Sequence, residues 1–417
     1  MNLLWITNIQ FPATSMKLGI TPEVGGGWMY SLASELVKEK SVTMAIGTTY
    51  SGSELKRYHD SDIQYFLLPR KMPNTLYDKS LEHYWAVIVK EFKPDIIHIH
   101  GTEYPHGLAC INACPGQRFI ISIQGLISVI SYYSYSGIPH WSLLKHTTLN
   151  DLKRRDTIIQ AGKKLRKRGE FEKEYIKRCG HVIGRTSWDY AHTRAINHKV
   201  EYHFCNEVLR KCFYDSPSWD IHKKTVYSIF LSKAYLPRHG LHQILRALVI
   251  VKDFYPDVHL RIAGIDVFCG DRWVERISTY GSYIRALIKD LHLSDRVNFL
   301  GGLSEDKMVE ELRSAHIFIS SSAIDNSPNS LGEAQLIGTP CIASFVGGVP
   351  DMVRDGETGL LYRYDDHVML AFKIIQIFKD NDLALLLSKN GRAEASARHD
   401  RVQIKARIQK IYASLMI

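Results

Sequence analysis

The sequence has no cysteine pair at Cys-x2-Cys spacing; its seven cysteines, Cys110, Cys114, Cys179, Cys205, Cys212, Cys269 and Cys341, are odd in number and scattered. That usage argues against a disulfide framework and a structural zinc site, and fits thiols kept reduced. No apolar run approaches the ~18 residues that a spanning helix needs. The opening residues, Met1-Asn-Leu-Leu-Trp-Ile-Thr-Asn, have neither a basic leader nor a small-residue cleavage site and read as a first strand rather than a signal peptide. These absences predict a cytoplasmic protein, with peripheral attachment to the inner face of a membrane left open. Short repeats and low-complexity segments are also missing.

What is present is globular: 417 residues, 45% hydrophobic and 23% charged. One core stops growing near ~250–300 residues, so two domains are expected. Lys plus Arg number 53 against 43 Asp plus Glu, and the excess is concentrated. Residues 145–178 carry twelve basic and five acidic side chains, including Lys163-Lys-Leu-Arg-Lys-Arg168. A solvated helix face accounts for such a run, and so does contact with anionic lipid or a phosphorylated acceptor; nucleic acid is not expected as a partner.

Short β-branched runs at Leu3–Ile9, Val42–Ile46, Ile63–Leu68, Ile96–Ile99, Phe119–Ile123 and His181–Ile183 alternate with helical patterns such as Met29–Lys38. This alternation predicts a parallel sheet with crossover helices. The strand signal lapses over about residues 142–178, which reads as a helical insertion in the first domain. Turn formers around Tyr214-Asp-Ser-Pro-Ser-Trp-Asp220 suggest a linker. A second series follows, with strands at Val226–Leu231, Val258–Ala263, Val297–Leu300, Ile317–Ser320 and Pro340–Ala343. The predicted organisation is a first domain over 1–213, a linker over 214–223 and a second domain over 224–417, whose last helix is free to pack back on the first.

Two groups of residues carry chemistry. Pro22-Glu-Val-Gly25-Gly26-Gly27 ends a loop before a helix, where glycines let backbone amides approach an anion. It is not Gly-x-Gly-x-x-Gly, and a tight strand–helix turn explains it equally well. In the second half, Asp325 and Glu333 stand eight positions apart after a predicted strand, on the rim where such sheets bind ligands. A carboxylate accepts two vicinal hydroxyls at once, which suits a sugar. Ser330-Leu-Gly-Glu333 is also a capping box, so spacing alone leaves both readings standing.

Asp325 to Glu333 resembles the acidic-x7-acidic signature of family 4 retaining glycosyltransferases. Flanking segments extend the likeness: Ile229-Phe-Leu-Ser-Lys-Ala-Tyr-Leu-Pro-Arg-His-Gly240, Tyr255-Pro-Asp-Val-His-Leu-Arg-Ile-Ala-Gly264, Leu336-Ile-Gly-Thr-Pro340 and Asp355-Gly-Glu-Thr-Gly-Leu-Leu361. The resemblance covers roughly 225–365, and in the first half rests on the glycine-rich loop and Asp95-Ile-Ile-His-Ile-His-Gly101. It implies an α/β chain of the GT-B fold, two Rossmann-like domains facing a cleft. It also implies retaining sugar transfer from a nucleotide-diphosphate-sugar to a saccharide or lipid-linked acceptor in surface polysaccharide or glycoconjugate synthesis, without a metal or other cofactor.

Carried over by position, the resemblance makes Lys233, Arg238 and Asp325 catalytic, the two cations neutralising the leaving diphosphate. Gly25, Gly26, Gly27, His239, Asn326, Ser327, Asn329, Ser330, Leu331 and Glu333 are implied donor contacts, with Glu333 on the ribose. Asp325 stands where the family usually has Glu, Lys233 replaces Arg and gives up the bidentate fork, and His239 replaces Lys, which would tie phosphate neutralisation to Arg238 or to pH. Gln124 occupies the place of a common His and cannot act as a base. His100, Glu103 and Gln124 are acceptor-side candidates; His98, expected on the opposite face of its strand from His100, reads as a packed residue. No Asp-x-Asp metal motif is read at a strand end. The competing readings are a nucleotide-sugar epimerase or phosphorylase on the same fold, and a binding module with a vestigial donor site.

Overall fold

The computed structural model describes residues 1–20, 27–264 and 278–416. These fall into two compact units: Met1–Ser131 with Lys164–Leu209 and His399–Ile417, and Tyr132–Lys163 with Arg210–Arg398.

The first unit is built on β1 (Asn2–Thr7), β2 (Thr43–Tyr50), β3 (Lys56–Asp60), β4 (Ile63–Pro69), β5 (Ile96–His100), β6 (Phe119–Ser122), β7 (His181–Gly184) and β8 (Glu201–Phe204). They form one sheet in the order β3-β4-β2-β1-β5-β6-β7-β8, parallel except for the β3–β4 hairpin. Both faces are covered, which is why its central strands are mostly apolar. Along β1, Leu4 and Ile6 join a core with Trp85, Ile88 and Ile121, while Leu3 and Trp5 join another with Met29, Leu32 and Ile408. The helix Arg401–Ser414 seals the second face; its Tyr412 hydroxyl accepts from Trp5 Nε1 at 3.1 Å and lies 2.6 Å from His98 Nδ1.

The second unit contains β9 (Ser228–Leu231), β10 (His259–Ala263), β11 (Val297–Gly301), β12 (Ile317–Ser320), β13 (Cys341–Ser344) and β14 (Leu360–Tyr362). The order is β11-β10-β9-β12-β13-β14, with every adjacent pair parallel. Successive strands run outward from β9 in one direction and then from β12 in the other. The loops after β9 and β12 therefore diverge at one point, and the crevice there is where such sheets bind ligands.

The structure differs from the sequence reading in three places. The edge strands β3 and β8 are largely polar, and β14 is only three residues long, so none gives a clear apolar run. Tyr132–Lys163 groups with the second unit rather than standing off the first. Buried Asp151 accepts from the Thr279 amide at 2.8 Å and from its hydroxyl at 2.6 Å, while His242 Nε2 lies 3.1 Å from the Ser136 carbonyl. The expected linker is packed as well: buried Trp219 donates its amide to Ile337 and its indole N–H to Ala315, both at 2.7 Å.

Candidate donor site at the strand-order reversal

The loop following β9 runs from Ser232 to Gly240 and carries Lys233, Arg238 and His239. It is fastened to the loop following β12. Ala323 donates its amide to the Arg238 carbonyl at 2.7 Å, and Ser321 its hydroxyl to the His239 carbonyl at 2.6 Å. Gly240 closes the loop with φ +76°, and a Cβ there would lie 2.0 Å from the Ser321 oxygen. Only glycine satisfies both constraints without moving backbone. The next residue opens the helix Leu241–Phe254.

This clasp brings Lys233 Nζ to 3.5 Å from Asp325 Oδ2. The Asp325 carboxylate also accepts from the Asn326 amide at 3.0 Å and the Ser322 hydroxyl at 3.3 Å, and its carbonyl accepts from Gly348 at 3.1 Å. At Gly347, φ +52°, a Cβ would meet the Asp325 oxygen at 1.9 Å, so the loop after β13 can approach only as glycine. Both ends of the Lys233–Asp325 pair keep solvent contact. An ion pair so exposed contributes about 0–1 kcal/mol of stability, so stability does not explain the placement.

Glu333 is placed differently. It is buried within the helix Asn329–Ile337, whose N-cap is Pro328, and the capping box offered by Ser330-Leu-Gly-Glu333 does not form. Instead Arg210 donates Nε to one carboxylate oxygen at 2.7 Å and Nη2 to the other at 2.8 Å. This fork–fork pair fixes the plane of the carboxylate and uses two of its roughly four lone-pair sites. Burial pushes the Glu333 carboxyl up, and the Arg210 guanidinium counters it. Arg210 itself rests on the Phe213 ring, 4.7 Å from its centroid. No local sequence pattern links Arg210 to a carboxylate 123 positions away.

The remaining donor-side candidates divide. Asn326 and Ser327 are buried beside Asp325, and Asn329 and Ser330 are half-buried at the helix start. The Leu331 amide donates to Pro328 at 3.0 Å, so it serves the turn and is not left for a phosphate. His239 is buried, and its Nδ1 accepts from the Leu236 amide at 3.3 Å. Burial, with Lys233 and Arg238 adding to it, holds its pKa well below the usual value. Neutral His239 shapes the loop, and the pH-dependent neutralisation weighed from the sequence has no support in this environment.

In the first unit, Gly27 opens the helix Gly27–Leu36, while Gly25 and Gly26 lie outside the described residues. His98 and His100 do not take opposite faces: residues two apart in a strand share one, and their ring centroids are 3.8 Å apart. Among the described residues neither ring nitrogen of His100 has a hydrogen-bond partner, and the ring lies 4.1 Å from Trp5 and 5.8 Å from Trp28 between centroids. Burial drives His100 well below its ordinary pKa and takes His98 down to about 3. Glu103 accepts from Asn8 Nδ2 at 2.8 Å. Burial, reinforced by Glu172, pushes it up to about 7 against the pull of Arg168. The Gln124 carbonyl accepts from Arg185 at 2.7 Å, and its side-chain amide lies 4.0 Å from the Met29 sulfur. A polar cavity of about 580 Å³ opens at the ends of β1, β2 and β4, lined by Asn8, Gln10, Tyr50, Lys56, Arg70 and Tyr104 among others.

An Asp-x-Asp pair does occur at a strand end, contrary to the sequence reading. Asp60-Ser-Asp62 closes the antiparallel hairpin of β3 and β4, with Ser61 at φ +53°. That places it on the polar edge of the first sheet, not among the donor-site loops.

The second unit thus presents the ligand crevice of a doubly wound sheet, with Lys233 against Asp325 and Arg210 against Glu333, and residues 217–394 match the model of the family described as glycosyl transferases group 1. The chain as a whole has the GT-B fold of that class. It is similar over 100% of its length to sucrose-phosphate synthase from Thermosynechococcus elongatus (TM-score 0.70, 17% identity, 99% of that chain). It is likewise similar to HepE of Anabaena, solved with UDP-glucose (TM-score 0.66, 14% identity, 99% of this chain and 100% of that one). Among curated relatives, N-acetyl-alpha-D-glucosaminyl L-malate synthase of Bacillus anthracis is 31% identical over 32% of this chain and 34% of its own. Phosphatidyl-myo-inositol mannosyltransferase of Mycobacterium leprae is 28% identical over 46% of this chain and 47% of its own. The matches span about a third to a half of those curated relatives.

Proposed function

We propose that this protein transfers a sugar, with retention of anomeric configuration, from a nucleotide-diphosphate-sugar to a saccharide or lipid-linked acceptor in surface polysaccharide or glycoconjugate synthesis. The observation that carries the reading is the meeting of Lys233 and Asp325 at the strand-order reversal, with Glu333 oriented by Arg210 on the following helix. Glu333 binds the ribose hydroxyls through the lone pairs that Arg210 leaves. Asp325 accepts hydroxyls of the transferred sugar, and Lys233 with Arg238 faces the diphosphate. Charge on that diphosphate grows as the glycosidic bond breaks, so cations fixed beforehand stabilise the transition state more than the bound donor. The acceptor hydroxyl gives its proton to the departing phosphate on the same face, so the site needs no base. Because HepE was solved with UDP-glucose, UDP-sugars come first in a donor panel, before GDP- and ADP-sugars.

Incubation with each donor and an acceptor pool, followed by NMR of the product's anomeric proton, tests the reading. Transfer with retained configuration supports it. Epimer formation or phosphorolysis moves the assignment to another enzyme of this fold, and binding without turnover moves it to a binding module.

Membrane attachment is part of the proposal. No helix among the described residues is long and apolar enough to cross a membrane. Yet Trp141 and Leu149 are 68% and 85% exposed, with Leu144 and Leu152 also exposed. They stand among the exposed cations Lys145, Lys153 and Arg154. Trp and Leu interleaved with basic residues suit the headgroup region of an anionic bilayer, where each cation contributes about 1 kcal/mol at low salt. Arg168, counted from the sequence with the basic run, donates to the Glu103 carbonyl at 2.8 Å and stacks on Tyr104. The expected result is salt-sensitive sedimentation with anionic vesicles, lost in a Trp141→Ser/Leu149→Ser variant. Equal sedimentation of the two proteins would remove this segment as the contact.

A further inference from the structure

On the outer edge of the first sheet, β7 and β8 pair in parallel with His181 opposite Glu201 and Ile183 opposite His203. Alternation along β8 puts Glu201 and His203 on one face, and the register puts His181 on the same one. The three side chains converge. His181 Nδ1 lies 3.2 Å from His203 Nε2, 3.5 Å separate that same Nδ1 from Glu201 Oε2, and 3.7 Å separate His203 Nε2 from Glu201 Oε1. Among the described residues, this is the one group of three or more His, Cys, Asp or Glu side chains whose ligand atoms all lie within 4.8 Å of one another.

We infer that His181, Glu201 and His203 form a binding site for a divalent transition ion, with Zn²⁺ as the expected occupant. Two nitrogens bound to tetrahedral zinc at ~2.0–2.1 Å stand about 3.3–3.4 Å apart, close to the observed separation. The two rings lie with centroids 5.4 Å apart at an interplanar angle of 20°. Two imidazoles and a carboxylate are a donor set that zinc accepts, and solvent supplies the fourth position. The ion would tie the terminal strand β8 to its neighbour, closing an edge otherwise held by one ladder. This role is separate from sugar transfer.

The alternative is a plain N–H···N hydrogen bond between the rings, with Glu201 as a solvated neighbour. Titration of the full-length, tag-free, chelator-treated protein separates the two. One equivalent of Zn²⁺ is expected to bind, raising Tm by mass action. Affinity should fall at least about tenfold in Glu201→Gln, and the site should be lost in His181→Gln/His203→Gln, with far-UV circular dichroism confirming that both variants fold. Cobalt substitution should give tetrahedral d–d bands without thiolate charge-transfer absorption, which excludes the cysteines. Absence of binding, a stoichiometry unchanged in the double variant, or thiolate bands in the cobalt protein would overturn the assignment.

Discussion

The two units solve the same topological problem and then do opposite things with it. In each, the strand order reverses beside the first strand of the unit, β1 against β5 and β9 against β12. At the second reversal the side chains are charged and in contact with solvent: Lys233 and Asp325 are 40% and 22% exposed. At the first, His98 and His100 are buried and held uncharged, and Glu103 is pushed up to about 7. One crevice gathers opposite charges within reach of solvent. The other holds buried, uncharged histidines, with Lys56 and Arg70 lining the cavity at the ends of its strands. A parallel sheet supplies the location of a site, and the loops decide its electrostatics.

The largest expected effect lies on the charged side. Lys233→Ala or Arg238→Ala should lower turnover by about a hundredfold or more while changing donor affinity much less. Equal losses in affinity and turnover would mean that these cations bind the ground state only. In the same assay, a chelator that strips zinc should leave transfer unchanged; a rate abolished by EDTA and restored by Mg²⁺ would contradict metal-independent leaving-group stabilisation.

Arg210 sharpens the comparison from the stability side. Arg210→Ala leaves Glu333 buried without its cation, which costs about 3–5 kcal/mol. Arg210→Lys keeps the charge but not the fork, so it should fall between that variant and wild type in a denaturant series. An Arg210→Ala protein as stable as wild type would mean that Glu333 is solvated or protonated when unpaired.

The neutral side has its own signature in pH. Glu103 has a folded pKa raised to about 7, so between its unfolded value, ~4.3, and pH 7 the native state binds more protons than the unfolded state. Its protonation therefore supports the fold below that window, and the contribution is lost as pH rises through about 7. Glu103→Gln should flatten this slope and gain stability at pH 8 by about 1–3 kcal/mol. An unchanged slope would show that Glu103 is not the group responsible.

The charged crevice was more legible in sequence than the neutral one, for a physical reason. Lys233, Arg238, Asp325 and Glu333 lie at the ends of short apolar runs, and a parallel sheet gathers strand ends without any need to know distances. Arg210 was missed as the partner of Glu333 because a side-chain pair 123 positions apart leaves no periodic trace. The polar strands β3 and β8 escaped because edges do not need an apolar face. His98 and His100 were misassigned through the strand period itself, which puts residues two apart on one face. The attachment of 132–163 to the second unit rests on contacts such as Asp151 with Thr279 and Ser136 with His242, which composition cannot foretell.

The central claim is that Glu333, oriented by Arg210, holds the donor nucleotide in the second unit. Isothermal titration of the donor identified by the panel, into wild type and Glu333→Gln at matched fold stability, tests it most directly. One donor is expected per chain, with a loss of about 1–3 kcal/mol in the variant, for a charge-assisted contact to buried hydroxyls. Unchanged affinity in Glu333→Gln, with only a lowered Tm, would contradict it and leave the Arg210–Glu333 pair as architecture.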